Sequence, residues 1–262
     1  MVQIQEPEIP TFPPGDLWSD EPPLETYRHF QQLMLLLSSL ERFWSNRLDF
    51  FAGANLTVYY STRERKDEDL RGPDFFVVLN TERRERKSWV VWQEDGKYPN
   101  VVIEVLSDST AAVDRNKKKL LYQDVWRTPD YFWFHPYTME FKGFTLVHGK
   151  YVEIPPNEQS WLWSDELQLY LGIFNQRLRF FTPEGELVPT PEEAEIRALS
   201  AVELERQRAE VERERADAER QQAEVERQRA EVERQQVEVE RQKNAILRQK
   251  LLELGINPDE IG

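Results

Sequence analysis

Between residues 27 and 44 the apolar side chains Tyr27, Phe30, Leu33, Met34, Leu37, Leu40, Phe43 and Trp44 recur every three or four positions. That spacing predicts an amphipathic helix, opened at Leu24–Tyr27 after Pro22-Pro23, with this face against a core. Arg28, His29 and Glu41 are among its polar positions, and Glu41 is the one singled out to reach a site. The pattern then shortens into strand-like runs. Asn55–Tyr60 is β-branched and aromatic, Ser61–Arg71 is a charged loop, and Gly72-Pro73-Asp74 turns into a second run, Phe75–Leu79. Thr81–Lys87 reads as a solvated turn and Ser88–Glu94 as a third strand. Val101–Leu106 is apolar without alternation apart from one carboxylate, which predicts a central strand covered on both faces.

Ser107-Asp108-Ser109-Thr110 is a helix N-cap cluster. Val113, Leu120, Leu121, Val125 and Trp126 supply the apolar side of the helix that follows, and Thr128-Pro129-Asp130 breaks it. Tyr131–Phe134 is another buried strand. Phe141–Val147 and Lys150–Ile154 form a hairpin through His148-Gly149. Further sheet or short helix is expected at Trp161–Trp163, Leu167–Ile173 and Leu178–Phe181. This order fits an α/β (α+β) domain with a mixed sheet flanked by helices.

The pattern divides the chain into a proline-rich segment 1–23, a domain 24–190 and a charged tail 191–262. Pro191 with Glu192 and Glu193 beside it is a helix start. From Ala209 a seven-residue repeat runs A-E-V-E-R-E-R, A-D-A-E-R-Q-Q, A-E-V-E-R-Q-R. Its two apolar positions are two residues apart, about 200° around a helix, so they form no single coiled-coil seam. Recurrent pairs such as Glu210 with Arg213 and Arg213 with Asp217 favour an isolated helix, each by only about 0.2–0.5 kcal/mol. The tail reads as a long solvated helix or weak coiled coil, with a better seam at Leu247, Leu251 and Leu254 and a stop at Gly255. Such a tail would be the route to a homodimer or a protein partner.

Composition narrows the chemistry. The chain has no cysteine, which removes disulfides, thiolate metal sites and cysteine nucleophiles. Its acidic, proline-rich start has no secretory pattern, and no apolar run is long enough to span a membrane, so a soluble cytoplasmic protein is expected. The net charge of −14 argues against a non-specific nucleic-acid coat, although a local basic patch is compatible with it. His29, His135 and His148 are scattered over different elements, so no histidine-centred site is expected. The aromatic residues lie within apolar runs and read as core.

One stretch stands out against this background. Glu104 lies inside V-V-I-E-V-L, where a charge is costly to bury without a metal, a cation or hydrogen bonds. Asp74 heads the preceding apolar run, and three lysines, Lys117–Lys119, follow on the next helix. Two carboxylates on buried strands suit Mg²⁺ or Mn²⁺, which activates water and polarises a phosphodiester. A nearby lysine would orient the water or stabilise developing charge.

The segments G-P-D-F-F-V-V-L, P-N-V-V-I-E-V-L-S-D-S-T, D-x-x-x-K-x-x-x-Y and P-D-Y-F-W-F resemble the Uma-type family of restriction-endonuclease-like proteins in the PD-(D/E)xK nuclease superfamily. The resemblance covers about Leu24–Glu193. It implies a restriction-endonuclease-like fold and an Mg²⁺- or Mn²⁺-dependent endonuclease acting on DNA, with Pro73-Asp74 and Glu104 as the metal-binding acids. The superfamily's strand lysine, two residues after the acid, is replaced by Leu106. The family's helix pattern falls on Asp114, Lys118 and Tyr122, which makes Lys118 the candidate catalytic lysine. Relatives usually carry an aspartate where His135 stands. Both departures favour the alternative of an inactive nuclease-like body that recruits partners through its tail.

Overall fold

The computed structural model describes residues 15–21, 24, 26–61, 70–107 and 117–255, with the backbone alone at 70 and 71. Among these, helix α1 spans Tyr27–Phe43, capped by the Thr26 hydroxyl, which accepts from the His29 N–H. Strands follow at Phe50–Ala54 (β1), Val58–Tyr59 (β2), Leu70–Arg71 (β3), Phe75–Leu79 (β4), Trp89–Val90 (β5), Val101–Val105 (β6) and Asp130–Phe134 (β7). Helix α2, Leu121–Trp126, is π-wound and continues helical residues 117–120. Strands β8 (Phe141–Val147), β9 (Lys150–Glu153), β10 (Leu162–Ser164), β11 (Leu169–Phe174) and β12 (Arg177–Phe181) complete the sheets, and α3 runs from Pro191 to Glu253.

The main sheet has the order β1-β4-β6-β7-β8-β9. It is mixed: β6 and β7 are parallel and the other neighbours antiparallel. β10-β11-β12 and β3-β2-β5 form two smaller sheets. Alternation along the central strands separates two cores. Phe75, Val77, Val101, Ile103, Val105, Phe132 and Phe134 face α1 and the β10–β12 sheet. Phe76, Val78, Val102, Leu106, Tyr131 and Trp133 face Tyr122 and Trp126 of α2. This is the mixed α+β architecture and long C-terminal helix that the sequence pattern led us to expect.

Several local expectations need correction. The strand expected at Asn55–Tyr60 is only Val58–Tyr59, and the edge of the main sheet is β1 at Phe50–Ala54. The small residues of F-F-A-G-A hid it. Gly53 pairs with Phe76, and a Cβ there would lie 2.7 Å from the Phe76 ring, so the register itself requires glycine. Ser88–Glu94 keeps two strand residues before a 3₁₀ turn at Val91–Gln93. Leu70–Arg71 pairs with β2 rather than belonging to a loop. The N-cap cluster from Asp108 onward lies outside the described residues.

Helix α1 is rotated from its expected face. It buries His29, Gln32, Leu33, Leu36, Ser39 and Leu40, while Tyr27, Phe30, Met34 and Phe43 are exposed. Gln32 makes the difference, because it acts as a strand partner: its amide donates to the Leu178 carbonyl at 2.9 Å and accepts from the Leu178 N–H at 3.0 Å. A polar residue satisfied in this way costs little to bury.

The described residues up to Ala194 form one compact unit and those from Glu195 onward another. The start of α3 is a reciprocal capping box, in which the Glu193 N–H donates to Thr190 Oγ1 and the Thr190 N–H to Glu193 Oε2. No residue of α3 is buried. None of the described helices is long and apolar enough to cross a membrane.

Candidate active site

Asp74 and Glu104 meet through strand register. Antiparallel β4 and β6 pair Phe75 with Ile103, so one step further places Asp74 opposite Glu104 on the α2 side of the sheet. Two bonds hold Asp74 there. Its carbonyl accepts from the Asn55 N–H at 2.9 Å, and its Oδ2 accepts from the Val105 N–H at 2.7 Å.

Glu104 has no exposed surface, and hydrogen bonds satisfy both of its oxygens. Lys118 Nζ donates to Oε2 at 2.9 Å, and the Tyr122 hydroxyl donates to Oε1 at 2.6 Å. Lys118 and Tyr122 are four residues apart and therefore share a helix face. Leu106, on the same face of β6 as Glu104, is buried in the α2 core, so the cation beside the acid comes from the helix. The π-winding of α2 adjoins this contact, a distortion often found at functional sites.

A further group comes from α1. His29 Nε2 lies 3.2 Å from Asp74 Oδ1, off the line of a well-formed hydrogen bond. It is the helix residue that touches Asp74, whereas Glu41 pairs with Arg83 elsewhere. No pattern in the chain pointed to it, since His29 and Asp74 are brought together only by the docking of α1. Burial pushes the Asp74 carboxyl up, but the His29 contact, the Lys118 charge and the Val105 N–H outweigh it. The net pKa lies below the ordinary 3.8, so Asp74 is a carboxylate at neutral pH. Burial, and then the negative charge of Glu104, hold the Tyr122 phenol well above its ordinary value. Tyr122 therefore remains a donor.

His135 is not part of this cluster. Its Nδ1 accepts from the N–H groups of Tyr137 and Thr138 at 3.3 and 3.2 Å and closes the turn after β7. An aspartate can close a turn in the same way. Asp114, on the expected helix face with Lys118, lies outside the described residues. A separate cavity of about 710 Å³ lies among residues 15–18 and 84–94. Its cations are neutralised locally: Arg84 and Arg86 share Glu94, and Lys87 pairs with Asp16.

The sequence profile of the Uma2 family, described as "Putative restriction endonuclease", matches residues 12–180. The chain belongs to the Uma2 family. Among solved structures, it is similar to a crystal structure from Anabaena variabilis ATCC 29413 described as "a putative nuclease belonging to DUF820". The two are 13% identical over 55% of this chain and 76% of that one, with a TM-score of 0.42. No curated protein matches the chain.

Asp74 and Glu104 are hard oxygen donors. Among the described residues no three His, Cys, Asp or Glu side chains form a metal-binding group. Mg²⁺ needs no such group, because one or two carboxylates with water and substrate phosphate suffice. Both side chains offer carboxylate oxygens, and Lys118, which bonds Glu104 Oε2, has a flexible stem. The pair therefore fits Mg²⁺ or Mn²⁺ in donor type and number.

Proposed function

We propose that this Uma2 protein is a metal-dependent endonuclease that hydrolyses DNA phosphodiester bonds. The observation that carries the reading is the alignment of Asp74 with Glu104 across β4 and β6, with Lys118 Nζ 2.9 Å from Glu104. Asp74 and Glu104 would hold Mg²⁺ or Mn²⁺. A bound ion of this kind lowers the pKa of water and offsets charge on the phosphate. Lys118 bonds to Glu104 and lies close enough to Asp74 to stabilise its charge, so it is placed to orient the attacking water. Val105 fixes Asp74 through its N–H, and Tyr122 fixes Glu104 through its hydroxyl. His29 supplies a third nitrogen group beside the acids, at Asp74 Oδ1.

Purified protein with Mg²⁺ or Mn²⁺ is expected to nick supercoiled plasmid. Glu104→Ala should abolish nicking and Lys118→Met should slow it by on the order of 10²-fold, the range of a single positioned proton-transfer or charge-stabilising group. A folded Glu104→Ala protein that nicks as fast as wild type would remove the assignment.

A second reading has its own support. Glu104 is fully buried with both oxygens bonded, and Leu106 occupies the strand-lysine position. On this reading the cluster is a structural network, and the protein acts as an interaction module through α3. Absence of divalent-metal binding by the folded chain would favour it.

A further inference from the structure

Two arginines are held together at the same end of the main sheet. The β11–β12 hairpin turns through Asn175 and Gln176, both with positive φ (49° and 58°), the two-residue turn that matches strand twist. Arg177 then opens β12. Its Nη2 donates to Gln31 Oε1 at 2.6 Å and its Nη1 to the Arg28 carbonyl at 3.3 Å. Arg28, in the first turn of α1, donates from Nη2 to Gln176 Oε1 at 3.2 Å, and its guanidinium lies 5.1 Å over the Tyr137 ring. Tyr137 is 55% exposed, in the turn after β7. The C-terminal ends of β7 and β6 lie side by side through Val105 and Phe134. Arg28 also precedes His29, the residue that touches Asp74.

Like charges placed together are costly unless an anion relieves them. Several other arginines of this acidic unit have carboxylates, among them Arg83 with Glu41, Arg86 with Glu94 and Arg179 with Glu193, whereas among the described residues Arg42 and Arg127 do not. Among the described residues, neither Arg28 nor Arg177 has a carboxylate at ion-pair distance. Arg28 Nε is buried without a hydrogen-bond partner. Burial, and then the charge of Arg28, push the Arg177 pKa down. The pair is a cationic cluster beside the turn after β7, one residue along α1 from the histidine that touches Asp74, in a protein of net charge −14.

We infer that Arg28 and Arg177, with Tyr137 beside them, bind a backbone phosphate of the DNA that enters the Asp74–Glu104 site. This inference rests on the nuclease reading. Guanidinium groups present paired donors that match phosphate oxygens, and the exposed Tyr137 ring offers a face to the adjoining sugar or base. The acidic body is then no obstacle, because the attraction is local.

The test is binding of a short fluorescent DNA duplex by anisotropy over a salt series, in Ca²⁺ to withhold cleavage. Arg28→Gln/Arg177→Gln is expected to weaken binding about tenfold or more and to lower the slope of log K against log salt by about 1. Mn²⁺ affinity should be unchanged, and Arg28→Lys should keep most of the slope. Arg177 also ties β12 to α1, so if the double variant melts early the single Arg28→Gln protein carries the measurement. An unchanged affinity and slope in a variant that melts like wild type would overturn the site, as would wild-type binding that ignores salt. Salt-dependent binding through this pair without any plasmid nicking would leave the phosphate site standing and remove the nuclease reading. Nicking by wild type and the double variant alike, with equal binding, would do the reverse.

Discussion

Glu104 is a fully buried carboxylate bonded to both a lysine and a tyrosine. The phenol–carboxylate bond at 2.6 Å is charge-assisted. Tyr122→Phe removes the donor and leaves a buried oxygen short of a partner. It is expected to cost about 1–3 kcal/mol, read from chemical denaturation. No change in stability would mean that Glu104 is solvated or protonated in the folded protein. Asp74 gives a pH signature. Its folded pKa lies below the unfolded 3.8, so the unfolded chain takes up its proton first. Asp74 therefore stabilises the fold fully above that value, and the contribution is lost as pH falls through the folded pKa. Thermal melts from about pH 6 down to about pH 2 should show a shallower acid limb in Asp74→Asn than in wild type. Parallel curves would contradict the arrangement. Glu104 was legible in the sequence because a charge within a β-branched run demands a partner. His29 was not, because its place beside Asp74 depends on how α1 docks.

At the scale of elements, continuous apolar runs located β4, β6 and β7 with little error, since strands covered on both faces have no polar side to blur the signal. The register that brings Asp74 opposite Glu104 is not legible in either strand alone, because it is a property of their pairing. β1 escaped notice because its fit against Phe76 selects for glycine and alanine. The buried face of α1 was misread for a related reason. Hydrophobicity favoured Phe30 and Met34, whereas docking onto β12 favoured Gln32, which bonds both backbone groups of Leu178. Gln32→Leu would match the helix pattern better and yet is expected to destabilise the protein by about 1–3 kcal/mol, by stranding those backbone groups. A gain in stability on thermal melting would show that the pair contributes nothing to docking.

For the whole molecule, acidic charge and the proposed action on DNA pull in opposite directions, and the placement of charge reconciles them. The net −14 is spread over both units, while Lys118 bonds Glu104 and Arg28 and Arg177 lie together beside the turn after β7. The 63-residue α3 buries none of its side chains, consistent with the two-apart apolar phase of its repeat. Isothermal calorimetric titration of the full chain with Mn²⁺ near neutral pH tests the proposed metal site most directly. Wild type is expected to bind, and Glu104→Gln, which keeps the shape of the side chain while removing its charge, is expected to lose that binding while staying folded. Equal Mn²⁺ binding by the two proteins, or none by folded wild type, would contradict a metal site at Asp74 and Glu104.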